Sequence, residues 1–131
     1  MPLHPKSIPN APAAIGPYCH AMQAGRFIFC SGQTPLDPET MHLVGDDIGA
    51  QTERVLTNIA IVLGGLGLSL QDVVKTTVFL KTMDDFEGMN QVYAAMFDGH
   101  RPARTTVAVK QNPLDALVEI ECVALLKDDP V

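Results

Sequence analysis

The chain has 131 residues, 47% of them hydrophobic and 18% charged, which fits one globular domain with a real core and excludes a disordered sequence. Its formal net charge of -6 repels polyphosphates, and no run of Lys or Arg makes a basic stripe, so nucleic acid is not an expected partner. Met1 to Lys6 lack the apolar stretch of a secretory signal, and no apolar run approaches the roughly 20 residues that cross a bilayer, so a cytoplasmic protein without membrane contact is expected.

Residues 1 to 12 hold four prolines and no periodicity, the description of an irregular lead-in. Strand-like runs at 16–22 and 26–31 flank Ala24-Gly25 and read as a hairpin. With those two residues at the turn centre, Tyr18 faces Ser31 on one side of the ribbon and Cys19 faces Cys30 on the other. The stretch Gly32-Gln33-Thr34-Pro35-Leu36-Asp37-Pro38 is turn chemistry and leads to Asp46-Asp47, carboxylates suited to a helix N-terminus. From there Ile48, Thr52, Val55, Leu56, Ile59, Val62, Leu63 and Leu66 recur at three and four residues, predicting an amphipathic helix that Gly64-Gly65 and Gly67 end.

Asp72 to Leu80 is rich in β-branched residues and predicts a central strand. Thr82 with Asp85 resembles a capping box, and Phe86, Met89, Tyr93 and Met96 then share one face of a second helix that stops by Gly99. This Met and aromatic stripe reads as core packing. Arg104 to Val109 and Leu117 to Leu126 predict two final strands joined by residues 110–115, before the acidic Lys127-Asp128-Asp129-Pro130 tail. The order ββαβαββ predicts one α+β domain over residues 1–131, with two helices on one face of a mixed sheet. The other face, half apolar through alternation of Glu119, Glu121, Val123 and Leu125, is expected to be buried against further subunits, with sites where sheets meet.

Arg104 sits at a strand mouth, where its planar fork of donors suits a carboxylate. If the last two strands form a hairpin centred between Pro113 and Leu114, then Arg104 and Thr106 share a face with Glu119 and Glu121, and guanidinium and carboxylates converge. Such a pair is either catalytic or a cross-strand ion pair worth about 0.2–1 kcal/mol. Other chemistries lack their patterns. His4, His20, His42 and His100 have no zinc-site spacing, so no metal is expected. No glycine-rich loop precedes a helix, and Ser31 has no Gly-x-Ser-x-Gly around it. The cysteines, Cys19, Cys30 and Cys122, show no CxxC spacing and read as reduced, buried side chains.

Five stretches in order, Ala14 to Tyr18, Phe29 to Asp37, Asp72 to Leu80, Arg101 to Val107 and Val118 to Glu121, resemble the RidA/YjgF family of enamine/imine deaminases, with coverage from about residue 11 to 126. The resemblance implies a chorismate-mutase-like α+β fold, a homotrimer with sites in clefts between subunits, and no metal or organic cofactor. Arg104 matches the family arginine that holds the substrate carboxylate, and Glu119 the glutamate that positions or activates the attacking water. Tyr18 and Ser31 match site-lining positions. Thr106 stands where the best-known members have cysteine, whose role is ascribed to its backbone carbonyl, and Cys19 and His20 replace the common serine and glutamine. The implied reaction is hydrolysis of 2-iminobutanoate, 2-iminopropanoate or its enamine 2-aminoacrylate to a 2-keto acid and ammonia. The family resemblance also carries other readings: a ribonuclease or translation inhibitor, a stress-activated holdase chaperone, a deaminase of a larger enamine such as aminomuconate, and a small-molecule-binding regulator without turnover.

Overall fold

Alternation along the two longest strands sets the architecture, because it places Val78, Leu80, Ile120, Cys122 and Ala124 on one side of a sheet that two helices cover. The computed structural model describes residues 2–127. Its strands are β1 (Leu3–Lys6), β2 (Ala21–Ala24), β3 (Phe27–Gln33), β4 (Val73–Leu80), β5 (Ala103–Ala108) and β6 (Val118–Leu125), and its helices are α1 (Ile48–Gly64) and α2 (Phe86–Phe97). The spatial order is β1-β2-β3-β6-β4-β5, antiparallel throughout except for the parallel pair β4 and β5. Among the described residues no helix is long and apolar enough to cross a membrane.

Helix α1 begins where the aspartates suggest, the Asp47 side chain accepting from the Ala50 backbone N–H at 2.8 Å. Its apolar stripe of Val55, Leu56, Ile59, Val62 and Leu63 is fully buried. Two polar residues on the same helix are buried as well, and both tie down loops. Asn58 donates to the carbonyls of Thr34 and Leu36, while Gln51 donates to the Gly45 carbonyl and accepts from the Leu117 N–H.

The structure departs from the sequence reading in four places. Residues 3–6 are a strand rather than irregular lead-in: β1 lies antiparallel to β2 as the outermost strand, where Pro5 is tolerated. The first hairpin turns at Gly25-Arg26, one residue later than expected, because Gly25 supplies the positive φ of 62° at the first central position. Cys30 therefore opposes Ala21 rather than Cys19, and Tyr18 precedes the strand instead of facing Ser31. Thr82 caps a single 3₁₀ turn, Met83–Asp85, and α2 follows it without a side-chain cap.

The fourth departure matters most. β5 and β6 are not neighbours, since β4 stands between them. The β4-α2-β5 unit is a crossover that returns β5 parallel to β4 at the sheet edge. The 110–117 connection, with Pro113 and the left-handed Leu114 and Asp115, then carries the chain to β6, which inserts between β3 and β4. Residues 128–130 of the acidic tail lie outside the described residues.

All three cysteines are free thiols. Cys30 and Cys122 oppose each other across β3 and β6 on the core side, and the hydrogen bond between them, followed by burial, pushes the Cys122 thiol far above the ordinary range.

Candidate functional site

Arg104 is held at the sheet edge by aromatic faces. On β5 it opposes Thr76 of β4 and so points to the helix-covered side, where its guanidinium carbon lies 4.8 Å from the Tyr93 ring centroid and 5.6 Å from that of Phe86. One terminal N–H reaches the Met89 sulfur at 3.9 Å. Tyr93 is itself fixed by a 2.7 Å hydrogen bond between its hydroxyl and that of Thr76, and burial holds its phenol above the ordinary range. The stripe read as core packing thus does more than fill space, because Phe86, Met89 and Tyr93 also set the direction of a cation.

A cleft of about 370 Å³ opens beside this guanidinium, lined by Asn90, Tyr93 and Ala94 of α2 and by His100, Pro102 and Arg104. Asn90 Oδ1 and Thr106 Oγ1 are both shielded from solvent and have no hydrogen-bond partner among the described residues. Thr106, two residues along β5, faces the same side as Arg104. Asn90 escapes sequence reasoning because a lone polar residue on a helix carries no signal of what lies beside it.

Glu119 occupies a different place. On β6 it opposes Phe79 of β4 and points to the open side of the sheet. Its carboxylate lies over Gly32, where an added Cβ would sit 2.8 Å from Oε1, so a side chain at position 32 would push the carboxylate out of this place. Burial, followed by the neighbouring Glu121, raises the carboxyl above the usual glutamate range. The register between β3 and β6 slips between Cys30 and Gln33, so Ser31 and Gly32 together stand against Glu121 in a bulge.

Tyr18 and Ser31 approach this second cluster without the pairing first expected. The Ser31 hydroxyl donates to the Cys19 carbonyl at 2.7 Å, and its backbone N–H donates to the His20 carbonyl at 3.0 Å. Tyr18 is 46% exposed, its hydroxyl accepts from the Ile15 N–H at 3.3 Å, and it lines a small cleft with Gly32 and Gln33.

The expected convergence of Arg104 with Glu119 within one chain is therefore wrong. The two lie on opposite faces, and β4 between them sets their strands about 10 Å apart. A cross-strand ion pair between them is excluded by the same geometry, and among the described residues neither group is in an ion pair.

Known proteins share this arrangement of elements. The family model described as Endoribonuclease L-PSP matches residues 8–126. A RutC family protein of Pyrococcus horikoshii is 51% identical over 115 residues, covering 88% of this chain and 91% of its own. A Salmonella typhimurium protein named 2-iminobutanoate/2-iminopropanoate deaminase is 43% identical over 119 residues, 88% of this chain and 92% of its own. The crystal structure of the YjgF gene product of E. coli superposes with a TM-score of 0.87 at 41% identity, covering 93% of this chain and 99% of that one. By sequence and by fold alike, this chain belongs to the RidA/YjgF family.

Proposed function

We propose that the protein is an enamine/imine deaminase that hydrolyses small 2-imino acids, of the 2-iminobutanoate and 2-iminopropanoate kind, to 2-keto acids and ammonia without a cofactor. The observation that carries this reading is the division of the chain into two half-sites: a preorganised guanidinium beside a cleft, without an ion pair among the described residues, and a raised carboxyl beside Gly32 on the opposite face. Arg104 grips the substrate carboxylate, with Asn90 Oδ1 and Thr106 as further polar groups beside the β5 edge. Glu119 takes a proton from water as the oxygen bonds to the C=N carbon and delivers it to the nitrogen, giving the carbinolamine. It then takes the hydroxyl proton and passes it to the amino nitrogen, so that the C–N bond breaks, C=O forms and ammonia leaves. A carboxyl held above the usual glutamate range by burial is suited to both transfers.

The half-sites of one chain cannot meet, so the reading requires the β5 edge of one subunit to face the Tyr18, Ser31 and Glu119 side of another, as in a closed homotrimer. The open face supports such burial: Phe27 and Phe29 are 47% and 49% exposed, and Val107 and Leu125 stand on the same side. Sedimentation is expected to give three chains per particle, and Phe29→Glu to shift it toward single chains with loss of turnover. A wild-type monomer at micromolar concentration would remove the argument.

Some family descriptions name ribonuclease activity, but a net charge of -6 and an arginine clamped between aromatic rings beside a small cleft suit a small carboxylate better than a polyanion. Imines generated in situ by an amino-acid oxidase or dehydratase provide the test. Accelerated release of 2-keto acid supports the deaminase. Binding without acceleration favours a regulator, and suppression of client aggregation without imine hydrolysis favours a chaperone.

A further inference from the structure

The His20 ring adds a polar tie between the segment just before β2 and the segment after β1, whose Ile8 and Ala11 are buried in the core. It is 6% exposed, and the Ile8 backbone N–H donates to its Nδ1 at 2.8 Å. A nitrogen that accepts a hydrogen bond carries no proton, so the ring proton is on Nε2 and is donated to the Pro12 carbonyl at 2.7 Å. Backbone groups on both sides thus fix one neutral tautomer. Both partners belong to the strap of residues 8–12 that follows β1. Within the strap the Ala11 N–H bonds internally to the Ile8 carbonyl, and Ile8 packs its side chain on Gly65 at the end of α1.

We infer that His20 is a proton-sensitive latch, which in its neutral form holds the 8–12 strap against the sheet and on protonation releases it. A proton on Nδ1 would set N–H against N–H at the Ile8 contact and place a charge on a nearly buried ring. No carboxylate lines either of the clefts that flank the ring. The titratable side chains there are Tyr18 and Cys19, while Ser31 and Gln33 on β3 are neutral and Lys6 on β1, opposite Ala21, is a cation. The imidazolium therefore gains no compensating anion while the strap stays in place. From Pro12 the chain runs directly to Ile15 and Tyr18, so release of the strap loosens the Tyr18 side of the proposed site. The latch itself does not rest on the deaminase reading.

Nuclear magnetic resonance of the full, isotope-labelled protein provides the test. At neutral pH the imidazole nitrogen shifts should report the Nε2–H tautomer, and the Ile8 amide should resist exchange. Its protection factor should then fall at least ten-fold over the same pH interval in which His20 protonates. In His20→Gln the side-chain carbonyl can accept from Ile8 and the side-chain N–H can donate to Pro12, so protection should persist through that interval. Persistent protection of Ile8 in the wild type after His20 has protonated would overturn the latch. So would an unchanged acid transition in His20→Gln. Neither measurement uses turnover, so failure of imine hydrolysis would leave the result intact.

Discussion

Arg104→Ala is expected to lower kcat/KM for 2-imino acids by roughly 10- to 150-fold, the cost of about 1.5–3 kcal/mol for a lost charge-assisted hydrogen bond to the substrate carboxylate. Arg104→Lys should not restore it. The guanidinium lies over Tyr93 and Phe86 at 4.8 and 5.6 Å, and an ammonium presents neither the planar face for that stacking nor the two-pronged grip. Folding should survive both changes, because Arg104 is only partly buried at an edge strand and its ring contacts contribute about 0.5–1 kcal/mol each at such a site. Steady-state kinetics with freshly generated imine, beside a thermal melt, separate the two effects. Wild-type rates in Arg104→Ala would end the assignment.

Glu119→Gln is expected to lower kcat by about 10²- to 10⁴-fold, the range for removing a positioned acid-base group, with little change in KM because the substrate carboxylate is gripped elsewhere. The raised carboxyl fixes the sign of the pH dependence. As a base the group must be ionised, so kcat should fall as pH falls through its raised value, with an acid limb displaced upward from that of an ordinary glutamate. Stability runs the other way. A carboxyl raised on folding favours the folded state below its unfolded pKa, and that contribution is lost as pH rises through the folded one. Glutamine, which never ionises, should therefore leave stability at neutral pH unchanged or slightly higher. A kcat profile without the displaced limb, or full activity in Glu119→Gln, would remove Glu119 from the reaction.

The site residues were legible to different degrees. Arg104 announced itself as a guanidinium at the start of an apolar strand, whereas Gly32 read as turn chemistry and lies instead in a bulge of β3, and the reason for each contact is tertiary. Nothing in the Phe86, Met89 and Tyr93 spacing distinguishes a stripe that packs only on the sheet from one that also clamps a cation. Asn58 and Gln51 were hidden for a related reason: their partners, the loop carbonyls of Thr34, Leu36 and Gly45, lie far along the chain or across a turn.

The helices, the central strands and the half-apolar face are written into the chain segment by segment, because periodicity is a local property that each segment carries alone. Residue parity likewise assigns the two faces of each strand without reference to its neighbours. Which strands are neighbours is a different kind of question, and it is answered only when the whole chain packs. Pairing β5 with β4 and inserting β6 between β3 and β4 is a long-range choice, set by the crossover through α2 and by burying Ile120, Cys122 and Ala124 under two helices. That choice places Arg104 on the helix-covered side and Glu119 on the open one. A local hairpin would have joined them.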